Sequence, residues 1–161
     1  MRVLLLADGR SVHTVRYQTE MQSLGVEVVL ASIEAGDTVD INLKSITGIS
    51  GIDYALASRT IKQIVQKGKF NIINPHFACG YGFMTAFSEV WKTKPVLLHC
   101  LGSDILVSPK KSWLHKWRVK YALKKADQIV VDSRYLGSQA MKIYDKTDHR
   151  VIFWGADNSA F

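Results

Sequence analysis

Val96-Leu97-Leu98-His99-Cys100-Leu101-Gly102-Ser103-Asp104-Ile105-Leu106-Val107 is the stretch whose reading decides the fold. It opens as an apolar run just after Pro95, breaks at Gly102-Ser103-Asp104 and turns apolar again. A short apolar run bounded by turn formers reads as a strand buried on both faces. Strands of that kind belong to parallel sheets covered by helices, where ligands bind outside the carboxyl ends of the strands. The Gly102-Ser103-Asp104 turn falls at such an end. Taken alone, it needs only a glycine to turn the chain and an aspartate to cap the next segment. A functional reading therefore depends on what else shares that edge of the sheet.

Working outward, the same grammar repeats. Residues 2 to 7 are strand-like, Asp8-Gly9-Arg10-Ser11 is a turn, and residues 12 to 24 read as a helix with Tyr17, Met21 and Leu24 on one face. Gly25 is the expected left-handed cap, and Val26 to Ala31 forms a second strand. Residues 32 to 52 are less regular, with a short edge strand around Ile41, Leu43 and Ile46. Further elements follow as a helix from Asp53 to Gly68, a strand from Asn71 to Pro75, a helix over 80–92 and the strand over 95–101. A helix over 112–126, a strand over Gln128 to Val131, a helix from Ser133 to Ile143 and a strand from Arg150 to Trp154 complete the chain. Strand and helix alternate without repeats or a Gly/Ser-rich linker. The pattern predicts an α/β fold, a Rossmann-like open and mostly parallel sheet with helices on both faces.

Composition narrows the setting. The chain has 161 residues, 47% of them hydrophobic, which suits one globular domain. No apolar run approaches the roughly 20 residues that cross a bilayer. Cys79 and Cys100 give no disulfide framework, so a reduced, cytoplasmic setting is expected. The formal net charge of +7 favours anionic partners.

In a doubly wound sheet the loops after the first and fourth strands face each other, and the loop after the next strand lies beside them. That rule gathers three glycine-bearing loops: Gly9, Ser11 and His13; His76, Gly80 and Gly82; Gly102, Ser103 and Asp104. Glycine lets backbone approach a ligand, and a helix N-terminus offers amide donors to an anion. The loop after the first strand holds a single glycine, against the G-x-G-x-x-G of dinucleotide binders. Phosphate-gripping G-x-x-x-x-G-K-[S/T] and G-x-S-x-G nucleophile motifs are absent from the sequence. His76-x-x-Cys79 and His99-Cys100 lack structural-zinc spacing, and alternation turns Cys100 away from His99, so no metal is expected. Seven basic residues, Lys110, Lys111, Lys116, Arg118, Lys120, Lys124 and Lys125, surround Trp113 and Trp117. They read first as a solvated face with both tryptophans in the core. The competing reading is an interfacial surface at 110–125 for anionic lipid. No nucleic-acid motif accompanies the charge.

Asp8-Gly9-Arg10-Ser11-Val12-His13-Thr14-Val15-Arg16 with Leu24-Gly25-Val26-Glu27-Val28 resembles the opening of retaining GT-B glycosyltransferases of the family-4 type (glycosyl transferase group 1). Asn74-Pro75-His76 followed by Gly80-Tyr81-Gly82, and Leu101-Gly102-Ser103-Asp104-Ile105-Leu106, are similar to two further segments of that family. Ala126-Asp127-Gln128-Ile129-Val130-Val131-Asp132-Ser133 and Trp154-Gly155-Ala156-Asp157 resemble its later motifs and its domain junction. Leu101 and Val26 depart from it, standing where many relatives carry histidine. The resemblance implies that residues 1–161 are an N-terminal, acceptor-side Rossmann-like domain, with the nucleotide-sugar-binding domain absent from this chain and the fragment inactive alone. It implies sugar transfer of the hexosyl type from a nucleotide-sugar donor to a glycan or lipid-linked acceptor, as in polysaccharide or lipopolysaccharide synthesis. No cofactor beyond the donor substrate, no metal and no nucleic acid are expected. The place implied is the cytoplasm, peripheral to the inner membrane face. No catalytic residue is named; the substrate-binding set is Gly9, Ser11, His13, Arg16, His76, Gly80, Gly102, Ser103 and Asp104, with His13, Arg16, His76 and Asp104 placed against a sugar. The alternative is a stand-alone Rossmann-like binding module for an anionic ligand.

Overall fold

The computed structural model describes residues 1–43, 50–145, 149–153 and 155. Among the described residues seven strands run in one direction: β1 (Arg2–Leu6), β2 (Glu27–Ser32), β3 (Ile41–Asn42), β4 (Ile72–Pro75), β5 (Leu97–Cys100), β6 (Gln128–Val131) and β7 (His149–Val151). Hydrogen-bonded ladders give the orders β3-β2-β1-β4 and β5-β6-β7, all parallel. Single parallel bridges, Ile73 with Val96 and His76 with His99, join the two ladders into one sheet. This is the doubly wound order of a Rossmann-like sheet.

The seam between β4 and β5 has a sequence cause. The amide of Ile73 donates to the carbonyl of Pro95 at 2.9 Å. Two residues on, the next donor facing β5 belongs to position 75, and proline has none. The carbonyl of Leu97 accepts instead from Asn74 Nδ2 at 2.6 Å. Asn74 Oδ1 in turn accepts from the Tyr17 hydroxyl at 2.9 Å. One side chain therefore replaces a ladder bond and anchors a helix.

The helices are α1 (Val12–Ser23), α2 (Ser50–Lys67), α3 (Phe83–Phe87), α4 (Ser103–Leu106), α5 (Ser108–Lys111), α6 (Trp113–Lys125) and α7 (Arg134–Ile143). Leu4, Leu6, Ile73, Leu98, Ile129 and Val131 point to one side of the sheet, where α2, α3, α6 and α7 cover them with Ile61, Met84, Val119, Leu123 and Leu136. Leu5, Ala7, Val28 and Leu30 point to the other side, against Tyr17 and Met21 of α1. Burial on both faces explains why β1 reads as an unbroken apolar run. No helix among the described residues is long and apolar enough to cross a membrane.

Several expectations are corrected. Leu24 does not join the buried face of α1: the helix ends at Ser23, Gly25 turns the chain with φ +79°, and Leu24 is 78% exposed. The helix expected over 80–92 is three pieces. Phe77–Gly82 forms a wide π-helical turn, α3 follows, and Glu89, at φ +63°, ends the right-handed course before a 3₁₀ turn at Val90–Lys92. The helix expected from Asp53 begins three residues earlier, at Ser50. Trp113 and Trp117 are not in the core but 80% and 45% exposed, because α6 buries the smaller Val119, Ala122 and Leu123 on a different face. Ile46 and Trp154, assigned to strands above, lie outside the described residues, as do Ala156 and Asp157 of the junction motif.

Candidate functional site

Because all strands are parallel, the loops after β1, β4 and β5 emerge at one edge. Gly9, Ser11 and His13 follow β1; His76 and Gly80 follow β4; Gly102, Ser103 and Asp104 follow β5. Two hydrogen-bond networks tie these loops together. In the first, Ser32 Oγ, at the end of β2, accepts from the Gly9 amide at 3.0 Å and the Glu34 amide at 3.0 Å. It also meets the Tyr81 hydroxyl at 3.1 Å, which accepts from the Ile33 amide at 3.1 Å. In the second, Asp104 is fully buried. Its Oδ2 accepts from the Ala78 amide at 2.7 Å, and its Oδ1 from the Gly102 and Leu101 amides at 2.9 and 3.1 Å. Burial pushes this carboxyl up, against the pull of those amides. Asp104 is thus a brace between two loops, with its oxygens occupied by the protein, rather than a group presented to a sugar.

The glycines divide by cause. A Cβ on Gly9 would run into Val39, so the space there is filled by the protein itself. A Cβ on Gly82 would lie 2.8 Å from Leu98 Cδ1 and 3.3 Å from the Phe77 carbonyl. Gly102 faces open space, yet its φ of +113° is one that side-chain-bearing residues rarely adopt. Gly80 has only an ordinary contact to Phe77. Ser103 is exposed, and Ser11 begins α1 without a capping bond from its hydroxyl. Arg10 is held by Asp8, whose carboxyl burial pushes up but the hydrogen bonds and charge of Arg10 carry below its ordinary value.

His13 is exposed on the first turn of α1. Arg16, one turn on, donates from a guanidinium nitrogen to the Gly155 carbonyl at 3.1 Å. With Tyr17, Glu20 and His99 it lines an open cleft of about 190 Å³, closed on its far side by Val130, Ile152 and Phe153. His76 lies beneath, stacked on His99 with ring centroids 4.7 Å apart. The ring of Tyr17 meets both edgewise, at 4.8 Å and 5.4 Å. Burial lowers His99 to about 4. Burial, and then the neighbouring His99, hold His76 well below its ordinary range. Both rings are therefore neutral at physiological pH, each with one nitrogen donor and one acceptor. Of the two, His99 lines the cleft, and His76 is buried behind it. Cys100 points into the opposite core, fully buried, where burial raises its thiol. Among the described residues no three His, Cys, Asp or Glu side chains gather as a metal site.

Of the residues expected at the site, Arg16 and His76 come together through Tyr17 and His99, whereas His13 is exposed on the first turn of α1. Tyr17 was placed in the core by its spacing, and His99 was weighed only as a metal ligand. Ser32 and Tyr81 carry no motif of their own; they become visible only when three loops meet.

The sequence model of the glycosyl transferase 4-like family matches residues 2–133. No curated protein matches the chain. Among solved structures, a Listeria monocytogenes protein described as a UDP-N-acetylglucosamine 2-epimerase has a similar fold, with a TM-score of 0.65 at 12% sequence identity. The match takes in 90% of this chain and 42% of that one.

Proposed function

We propose, because the chain belongs to the glycosyl transferase 4-like family, that it supplies the acceptor-side half of an enzyme transferring a sugar from a nucleotide-sugar to a glycan or lipid-linked acceptor. The observation that carries this reading is the shared edge. Three loops converge there, beside an open cleft walled by Arg16, Tyr17 and His99. An arginine and one neutral imidazole, that of His99, fit hydroxyl and phosphate groups better than an apolar ligand. The transfer is of the retaining, hexosyl type that the resemblance implies, and the donor nucleotide is gripped chiefly by a second domain. Calorimetric titration of the 161-residue chain tests this. Nucleotide-sugars should bind weakly, whereas acceptor glycans or lipid-linked saccharides should bind saturably and lose affinity on Arg16→Ala. Micromolar binding of a nucleotide-sugar to the chain by itself would contradict the acceptor-side assignment.

Membrane-peripheral placement is part of the same proposal. The exposed tryptophans of α6 support it, together with the absence of any acidic residue from Ile105 to Ala126. Trp117 stacks on Tyr121 and meets Phe83 edgewise, giving an aromatic strip flanked by lysines. Aromatic rings at headgroup level with cations beside them suit an anionic interface. Association in the cytoplasm would bring a lipid-borne acceptor to the sheet edge from which α6 starts.

A further inference from the structure

A second concavity lies away from the cleft, between α4, α5, the first turn of α6 and α7. It has a volume of about 240 Å³, and Lys110, Lys116, Lys142, Tyr135 and Gln139 form its polar rim. Ile105, Leu106 and Ile143 form its apolar floor. Among the described residues no carboxylate lines it. None of the three lysines belongs to an ion pair among the described residues. Three ammonium groups around so small a volume repel one another and are best relieved by an anion placed among them. The tyrosine hydroxyl and the glutamine amide add neutral donors of the kind that phosphate oxygens accept.

The apolar floor separates this groove from a site for a free ion. An inorganic anion gains nothing from Ile105, Leu106 or Ile143, whereas burial there stabilises the first carbons of a hydrocarbon tail. Trp113, 80% exposed, stands in the chain between Lys110 and Lys116 and places the groove at the surface where a bilayer would lie. We infer that the groove holds the phosphate group of an anionic lipid. Ile105 and Leu106 of the floor belong to the short helix α4, whose Asp104 accepts from the Ala78 amide at the sheet edge. The inference rests on the membrane-facing reading only for the source of the phosphate.

Binding to the 161-residue chain is followed by ¹H–¹⁵N spectra with two probes, inorganic phosphate and dihexanoyl phosphatidic acid below its micellar concentration. The lipid phosphate should shift the Gln139 side-chain amide and bind at least about tenfold tighter than inorganic phosphate. Lys110→Gln with Lys116→Gln should weaken lipid binding about 30-fold, at about 1 kcal/mol per lysine. Lys120→Gln with Lys124→Gln removes the same charge from the outer face of α6 and should change it less than about threefold. Equal loss in the two double variants, an unshifted Gln139, or inorganic phosphate binding as tightly as the lipid would each overturn the assignment. These lysines are exposed, so unchanged thermal midpoints verify that the variants fold. Intact lipid binding beside micromolar binding of a nucleotide-sugar to the chain would remove the acceptor-side reading and leave the groove standing. Saturable binding of an acceptor glycan without lipid binding would do the reverse.

Discussion

Acid should loosen this protein well above the pH at which carboxylates titrate. His99 falls from an ordinary 6.5 to about 4 on burial, and His76 moves the same way beneath it. As pH drops below about 6.5, the unfolded chain takes up these protons while the folded one resists. Their stabilising share is full above 6.5 and is lost on the way down through about 4. For His99 alone the shift corresponds to about 3 kcal/mol, a large part of a domain's typical stability of about 5–15 kcal/mol. His76 adds to it with the same sign. Among the described residues, Tyr17 meets both rings edgewise, and Arg16 and Glu20 line the cleft beside His99. Asp104 acts with the opposite sign, since a carboxyl raised by burial protonates first in the folded state. The assay is urea unfolding at several pH values between about 7.5 and about 4.5, comparing the parent with His76→Gln/His99→Gln. The parent should lose stability steeply below about pH 6.5 and the double variant much less. Equal pH slopes for the two proteins would refute the reasoning, whatever their absolute stabilities.

Other perturbations follow from the braces at the sheet edge. Asp104→Ala strands three amides and should cost about 3 kcal/mol or more in urea midpoint analysis, with Asp104→Asn, which keeps one acceptor oxygen, losing less. Gly82→Ala forces a methyl to within 2.8 Å of Leu98 and should destabilise by about 1–3 kcal/mol, seen as a lower thermal midpoint. Tyr81→Phe removes the hydroxyl between Ser32 and the Ile33 amide; a loss of about 1 kcal/mol, with faster amide exchange at Gly9 and Ile33, is expected.

The order of elements was legible because burial on both sides leaves strands as unbroken apolar runs, and helices as periodic ones. Gly25 and Gly102 were read correctly as turning points for the same local reason, a positive φ. What local reading missed was set by partners far away in sequence. Asp104 looked like a ligand contact because nothing in Gly102-Ser103-Asp104 reveals that Ala78 claims its free oxygen. Trp113 and Trp117, at helical spacing, looked like a buried stripe. Which stripe of an amphipathic helix faces inward depends on the neighbouring helices, and here Val119, Ala122 and Leu123 won that contest. His99 was weighed only as a metal ligand, because a histidine within an apolar run carries no sign of the Tyr17 and His76 rings that surround it.

The proline in β4 has a mechanical consequence. A ladder resists shear by many equal rungs, but between Ile72–Pro75 and Leu97–Cys100 the rungs are few and one is a side chain. The sheet thus contains a fault line, with β3-β2-β1-β4 as one plate and β5-β6-β7 as the other. The fault runs out at the edge where His76 of one plate lies flat on His99 of the other, so small slippage between plates is magnified as a change in the overlap of two rings. A ligand that touched both plates would act as a rivet, and its grip would be felt as stiffness far from the point of contact.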